Sequence, residues 1–107
     1  MDSSLVSDIN YIEPNHLAYF ACVVKHRSFT AAAKEIAISK SKLSRVVSCL
    51  EERIGIRLLE RTSRVVTPTV AGQLLYQHCK EVYRAYLAAR QTIISLTSAA
   101  YDFSNAS

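Results

Sequence analysis

A chain of 107 residues, half of them apolar and about a fifth charged, is about one domain: enough for one modest core, too little for a large catalytic cleft between two domains. Two glycines and two prolines leave little material for tight hairpins, which argues against a many-stranded sandwich or barrel and for helices joined by short connections. The net charge of +4 is unevenly spread: residues 25–64 hold ten basic and four acidic side chains, a net of +6, while the rest sums to −2, the pattern of a local polyanion-binding surface.

Residues 1–13 show no sustained periodicity and are expected to form a loosely ordered N-terminal arm. Pro14 and Asn15 then signal a helix start, with Asn15 as the expected N-cap. Leu17, Phe20, Ala21 and Val24 follow at i, i+3, i+4 and i+7, one face of a helix that ends near the basic run 25–27, where cations suit the helix dipole. Ser28 can cap a second, short helix whose Phe29, Ala32, Ala33 and Ile36 face inward. Its consecutive alanines permit another helix to approach closely.

Ser39 is a third good cap. From it, Leu43, Val47, Leu50 and Ile54 make a buried stripe that Gly55 stops, while Lys40, Ser41, Lys42, Ser44, Arg45 and Ser48 occupy the opposite face. Two helices joined by three or four residues, the second basic and hydroxyl-rich outside, are the arrangement of a helix-turn-helix. Two β-prone runs, 56–61 and 65–68, flank a polar turn and predict a small hairpin, or wing, with Arg61 and Arg64 at its tip.

Thr69 caps a long last helix expected from about residue 70 to 96 or a little beyond, with residues 99–107 as a disordered tail. Along it Ala71, Leu75, His78, Val82, Tyr86, Ala89, Ile93 and Leu96 approximate a heptad seam, and Leu74, Tyr83, Leu87 and Ile94 form a second stripe beside it. Two stripes suggest two partners. The first turns are expected on the chain's own core and the distal turns on another chain, with Leu75, Val82, Tyr86, Ala89 and Ile93 as the candidate dimer interface. The expected architecture is mainly α: three helices and a two-stranded wing over residues 14–68, then a linker and dimerisation helix over 69–98.

The longest unbroken apolar run, residues 17–24, is far short of the roughly 20 residues that span a bilayer. The N-terminus lacks a basic start and an apolar signal core, so a cytoplasmic protein without membrane partners is expected. Cys22, Cys49 and Cys79 are odd in number and widely spaced, which suits reduced thiols.

Lysines, arginines and serines on the third helix can reach phosphates or base edges, and Thr30 and Lys34 on the helix before it are candidate phosphate contacts. The DNA-facing set expected from the residues is thus Thr30, Lys34, Ser39, Lys40, Ser41, Lys42, Ser44 and Arg45, with Arg61 or Arg64 reaching an adjacent minor groove. Catalytic signals are weak. Cys22 and His26 stand at i, i+4, half a metal site, but no second pair at ligand spacing accompanies them, so a satisfied thiol and a helix-end histidine are expected rather than a metal. Glu51 and Glu52 read as partners for Arg53, Arg57 or a nearby backbone end rather than as a general acid and base.

The segments Ser28-Phe29-Thr30-Ala31-Ala32-Ala33, Leu43-Ser44-Arg45, Leu50-Glu51-Glu52-Arg53-Ile54-Gly55 and Thr69-Val70-Ala71-Gly72 occur together in order. With them the chain resembles the N-terminal domain of LysR-type transcriptional regulators over roughly residues 14–96. The resemblance implies a winged helix-turn-helix, a linker helix that pairs with its mate in a homodimer, and binding to partly palindromic promoter DNA. It also implies a recognition helix from Ser39 to about Glu52, Arg45 as a phosphate contact and wing arginines at Arg61 and Arg64.

The chain departs from the family pattern at Lys40-Ser41-Lys42, where Gln-Pro or Gln-Ser commonly follows the capping serine, so base preference is not carried over from relatives. It departs again at Leu59, usually Phe, and at Pro68, usually Leu. Family members usually continue into a C-terminal effector-binding domain, so a fragment or a naturally short form is expected, with a small-molecule effector only if that domain exists. The leading expectation is a sequence-specific, homodimeric double-stranded-DNA-binding domain of a bacterial-type regulator, not an enzyme and without cofactors. The alternative is a helical protein-interaction and dimerisation module with weak or lost DNA binding; a thiol redox sensor using Cys22, Cys49 or Cys79 is a third reading.

Overall fold

Pro14 opens the first helix, α1 (Pro14–His26), at its first helical position, where a missing N–H costs nothing and the ring presets the helical φ. Glu13, in extended backbone, therefore takes the N-cap position that the sequence suggested for Asn15. The computed structural model describes residues 12–62 and 65–106, with side chains up to residue 99. The expected arm thus lies outside the described residues except for Ile12 and Glu13, and Ile12 packs half-buried on the core.

α1 is the centre of the fold. Ala18, Phe20, Ala21, Cys22, Val23 and Val24 are all buried, a wider face than the single stripe expected, because α1 is covered by other helices on more than one side. α2 (Phe29–Ile36) starts at Ser28, whose hydroxyl accepts the Ala31 N–H at 3.1 Å, and buries the expected Phe29, Ala32, Ala33 and Ile36. Ala37 ends it in the left-handed region (φ 66°), and its N–H returns to the Ala33 carbonyl. α3 (Lys40–Ile54) is capped by the Ser39 hydroxyl, which accepts the Lys42 N–H at 3.1 Å, and stops at Gly55 (φ 70°). Leu43, Val47 and Leu50 are its buried stripe.

The wing is shorter than the β-prone runs suggest. β1 (Leu59–Arg61) pairs antiparallel with β2 (Val66–Pro68), in the register Leu59 to Pro68, Glu60 to Thr67 and Arg61 to Val66. Residues 56–58 stay out of the sheet because the Leu58 and Leu59 N–H groups donate to one oxygen of the Glu51 carboxylate, at 2.8 and 3.1 Å. Glu51 is thus the partner of a backbone end, one of the roles its sequence position allowed. Thr69 then ties the wing to the last helix: its hydroxyl donates to the Arg57 carbonyl at 2.7 Å and accepts the Gly72 N–H at 3.0 Å.

α4 (Val70–Ala106) is 37 residues long, about 55 Å at a rise of about 1.5 Å per residue. Its helical conformation runs through residues 99–106, where a tail was expected, since nothing from residue 73 to 106 is a glycine or proline that would stop it. Its inner face also differs from the seam proposed from spacing. Cys79 and Tyr83 are buried, His78 is exposed, and Leu75, Val82 and Tyr86 pack on the chain's own core. The long contact with α1 decides this face, whereas a heptad count cannot tell an intramolecular partner from an intermolecular one. Tyr86 meets Tyr19 of α1 edge-on, with ring centroids 6.3 Å apart.

Candidate nucleic-acid interface

The buried stripe of α3 dictates what faces outward. At about 100° per residue, Arg45 and Ser41 stand on the crest opposite Leu43 and Val47, while Lys40 and Ser44 stand at the edge nearer the wing. Lys40, Ser41, Lys42 and Arg45 are exposed, as is the capping Ser39. The first acidic residue of this helix is Glu51, in its fourth turn, and Glu51 is committed to the wing backbone. The first three turns therefore present cations and hydroxyls with no acidic residue among them, beside a helix N-terminus whose partial positive charge adds to them.

Arg61 is folded back against α3. Its guanidinium lies 4.9 Å from the Phe29 ring centroid, with Nη1 donating to Ser44 Oγ at 3.4 Å and Nη2 donating to Ser48 Oγ at 3.3 Å. Nη2 also lies 3.4 Å from the second oxygen of Glu51. Arg61 thus adds its charge to the α3 face and fixes the wing to it. Arg64, the other wing arginine, lies outside the described residues. Thr62 closes the turn by holding Val65 through both its hydroxyl and its N–H.

An open cleft of about 380 Å³ runs between the start of α2, the start of α3 and the wing. Arg27, Thr30, Lys40, Ser44, Arg61 and Thr62 line it. Four of these were singled out from sequence; Arg27 and Thr62 were not. Arg27 had read as a dipole-matching helix end, but it adopts the left-handed C-cap conformation (φ 52°), which turns the chain sharply toward Ser28 and places Arg27 in the cleft wall. The signal available in the sequence was its position one residue before a strong N-cap. Lys34 is exposed on the last turn of α2, one turn beyond Thr30, and does not itself line the cleft.

A second polar cluster lies behind the interface. His26 hydrogen-bonds Glu35, and Cys22 Sγ lies 3.3 Å from Glu35 Oε2 and 3.5 Å from the Tyr83 hydroxyl. The Tyr83 hydroxyl, and then His26 and Cys22, hold the Glu35 carboxyl down to about 2 against the opposing effect of burial. Burial pushes the Cys22 thiol up to about 11 and Cys79 likewise to about 11, and it raises the Tyr83 phenol. All three cysteines are free, and two are buried thiols poorly suited to attack an oxidant, which disfavours a thiol sensor built on Cys22 or Cys79.

Residues 14–73 match the sequence profile of the bacterial regulatory helix-turn-helix proteins of the lysR family. The chain belongs to the LysR family. Among curated LysR-type relatives, the regulator PtxR of Pseudomonas aeruginosa is 45% identical over 74 residues, 69% of this chain and 24% of PtxR. BenM of Acinetobacter baylyi is 48% identical over 67 residues, 63% of this chain and 22% of BenM. The crystal structure of the BenM DNA-binding domain with catB site 1 DNA superposes with a TM-score of 0.63 at 41% identity, covering 80% of this chain and 91% of that one. The LysR chain described here thus spans about a quarter of the length of the curated relatives it matches. Its matched segment covers α1 to α3, the wing and the first turn of α4, the elements that build the cationic face. No helix among its described residues is long and apolar enough to cross a membrane.

Proposed function

We propose that this LysR-family chain is a transcriptional regulator's sequence-specific duplex-DNA-binding domain, acting as a cytoplasmic homodimer with no catalytic step of its own. The observation that carries this reading is the outer face of the first three turns of α3, which holds no acidic residue, flanked by a cleft lined with Arg27, Lys40 and Arg61. The DNA present in the BenM domain complex supports it. In the proposed docking, α3 enters the major groove N-terminus first. Lys40, Ser41 and Lys42 meet base edges, and Arg45 and the Ser39 and Ser44 hydroxyls meet phosphates. Thr30 and Lys34 of α2 contact the flanking backbone, Arg61 adds its charge beside α3, and Arg64 reaches toward the neighbouring minor groove.

Selection of bound sequences from a random duplex pool, followed by anisotropy titrations over a range of salt, tests the reading. A defined pair of half-sites about one helical turn or a multiple apart is expected, with affinity falling steeply as salt rises. Equal affinity for every duplex, or a salt slope near zero, would instead favour the protein-interaction module.

The distal part of α4 supports the homodimer. Ile93 and Leu96 are 61% and 64% exposed, and with Ala89 they continue an apolar stripe past the turns that α1 covers. The dimer interface proposed from these contacts is therefore Ala89, Ile93 and Leu96, while Leu75, Val82 and Tyr86 serve the chain's own core. Sedimentation of the Ile93→Asp, Leu96→Asp double variant is expected to give a monomer with unchanged helical circular dichroism. A dimer that survives both changes would place the seam elsewhere.

A further inference from the structure

The cluster behind the interface brings together three donors that the sequence keeps apart. Cys22 and His26 stand one turn apart on α1, and Glu35 reaches them from the last turn of α2. Cys22 Sγ, His26 Nε2 and a Glu35 oxygen all lie within 4.8 Å of one another. We propose that Cys22, His26 and Glu35 form a binding site for a divalent transition-metal ion of the zinc class.

Geometry and donor chemistry support this. Two donors bound about 2.0 and 2.3 Å from a tetrahedral zinc ion lie about 3.5 Å from each other. The Cys22 sulfur and Glu35 oxygen are already 3.3 Å apart. One sulfur, one imidazole nitrogen and one carboxylate oxygen make a mixed set that suits zinc or cobalt, whereas calcium and magnesium take oxygen donors. A dication also neutralises the thiolate and the carboxylate together. The site is reachable: the His26 and Glu35 side chains are 29% and 32% exposed, so an ion can enter from that side and keep a water as its fourth ligand, while Cys22 closes the buried side.

Binding is a simple exchange. The ion takes the Cys22 sulfur as thiolate and the thiol proton leaves to solvent; the proton that His26 Nε2 shares with Glu35 passes through solvent to Nδ1, which frees Nε2 to bind, and no electron moves. The ion replaces the hydrogen bond between His26 and Glu35 with two metal–ligand bonds and so fastens the end of α1 to α2. The Tyr83 hydroxyl, 3.5 Å from the sulfur, is placed to orient the ligands from α4. Spacing in the sequence shows only the Cys22–His26 half of this site, because the third donor arrives through the packing of α2 on α1.

The test is titration of the reduced, full 107-residue chain with Co2+ alone. A thiolate-to-cobalt charge-transfer band is expected to saturate at one ion per chain and to bleach on adding Zn2+. Zn2+ at about a hundredfold over its Kd is expected to raise the unfolding midpoint by about 10 °C. Cys22→Ser should abolish the band and the thermal shift, and Glu35→Gln should weaken Co2+ binding by about tenfold or more. His26→Ala, at a partly exposed helix end, should weaken it similarly even if Cys22→Ser fails to fold, and Cys49→Ser should change nothing. A folded protein with no band at millimolar Co2+, a band retained in His26→Ala at full affinity, or a band lost in Cys49→Ser overturns the assignment. None of these readouts involves DNA, so the outcome is independent of the DNA-binding reading.

Discussion

Gly72→Ala is expected to destabilise the domain by about 3 kcal/mol or more and to lower its unfolding midpoint by about 15 °C or more. The sign is what makes the test sharp. Replacing glycine by alanine inside a helix ordinarily gains about 1 kcal/mol. At Gly72, however, a Cβ would stand 2.1 Å from the Leu58 carbonyl oxygen, with Leu58 C and Pro68 Cβ at 3.1 and 3.2 Å. That carbonyl has nowhere to go. It accepts the Thr69 N–H at 2.9 Å, its residue's own N–H is held by Glu51, and the Leu58 side chain is fully buried. Relief requires the first turn of α4 to lift away from the wing root, which breaks the Thr69 bonds to residues 57 and 58. Thermal and urea unfolding of the variant measure the effect, and a midpoint equal to or above the parent's would mean that α4 does not approach Leu58 this closely.

The Lys40→Ala, Lys42→Ala, Arg45→Ala triple variant is expected to lose about a hundredfold or more in affinity for its selected duplex while unfolding at nearly the parent temperature. All three side chains are exposed on α3, and none contributes to the buried stripe of Leu43, Val47 and Leu50. Singly, Arg45→Ala should weaken all duplexes alike and reduce the magnitude of the salt slope by about 0.9, the share of one phosphate. Lys40→Ala and Lys42→Ala should change which sequences are preferred. Full affinity in the triple variant would remove α3 from the interface and favour α4 as the functional surface.

Much of this architecture is legible in local sequence because its signals are local. Ser28 and Ser39 cap the helices they precede, and Gly55 stops α3 with the positive φ that glycine accepts most readily. The periodicity of 43, 47 and 50 picks out the buried side of α3, and what remains outside is the cationic face. Asn15 misleads for an equally local reason, since Pro14 is itself a helix-starting residue and moves the cap to Glu13. The extent of α4 is harder to read. A tail was expected where only the lack of a stop signal spoke against it.

Arg61 marks the limit of pattern reading. Its place beside a polar turn suggested a side chain extended from the wing, and the structure lays it across Phe29, Ser44 and Ser48. Partners 13 to 32 residues away decide that placement, and no spacing rule contains them. Glu51 is similar: its charge was visible, but its two bonds to the Leu58 and Leu59 amides depend on how the chain turns after Gly55.

The sequence by itself determined the helix starts, the buried stripes and the concentration of positive charge in residues 25–64, because capping, periodicity and composition act within a few turns of chain; its ordered motifs, separately, carried the resemblance to the LysR family. Tertiary structure alone decided which face of α4 serves its own core, leaving Ile93 and Leu96 exposed, and why Gly72 has no side chain. It also decided that Glu35 meets Cys22 and His26. Each of these depends on helices that meet only when the core closes, and the net charge of +4 with which the chain presents itself contains none of that information.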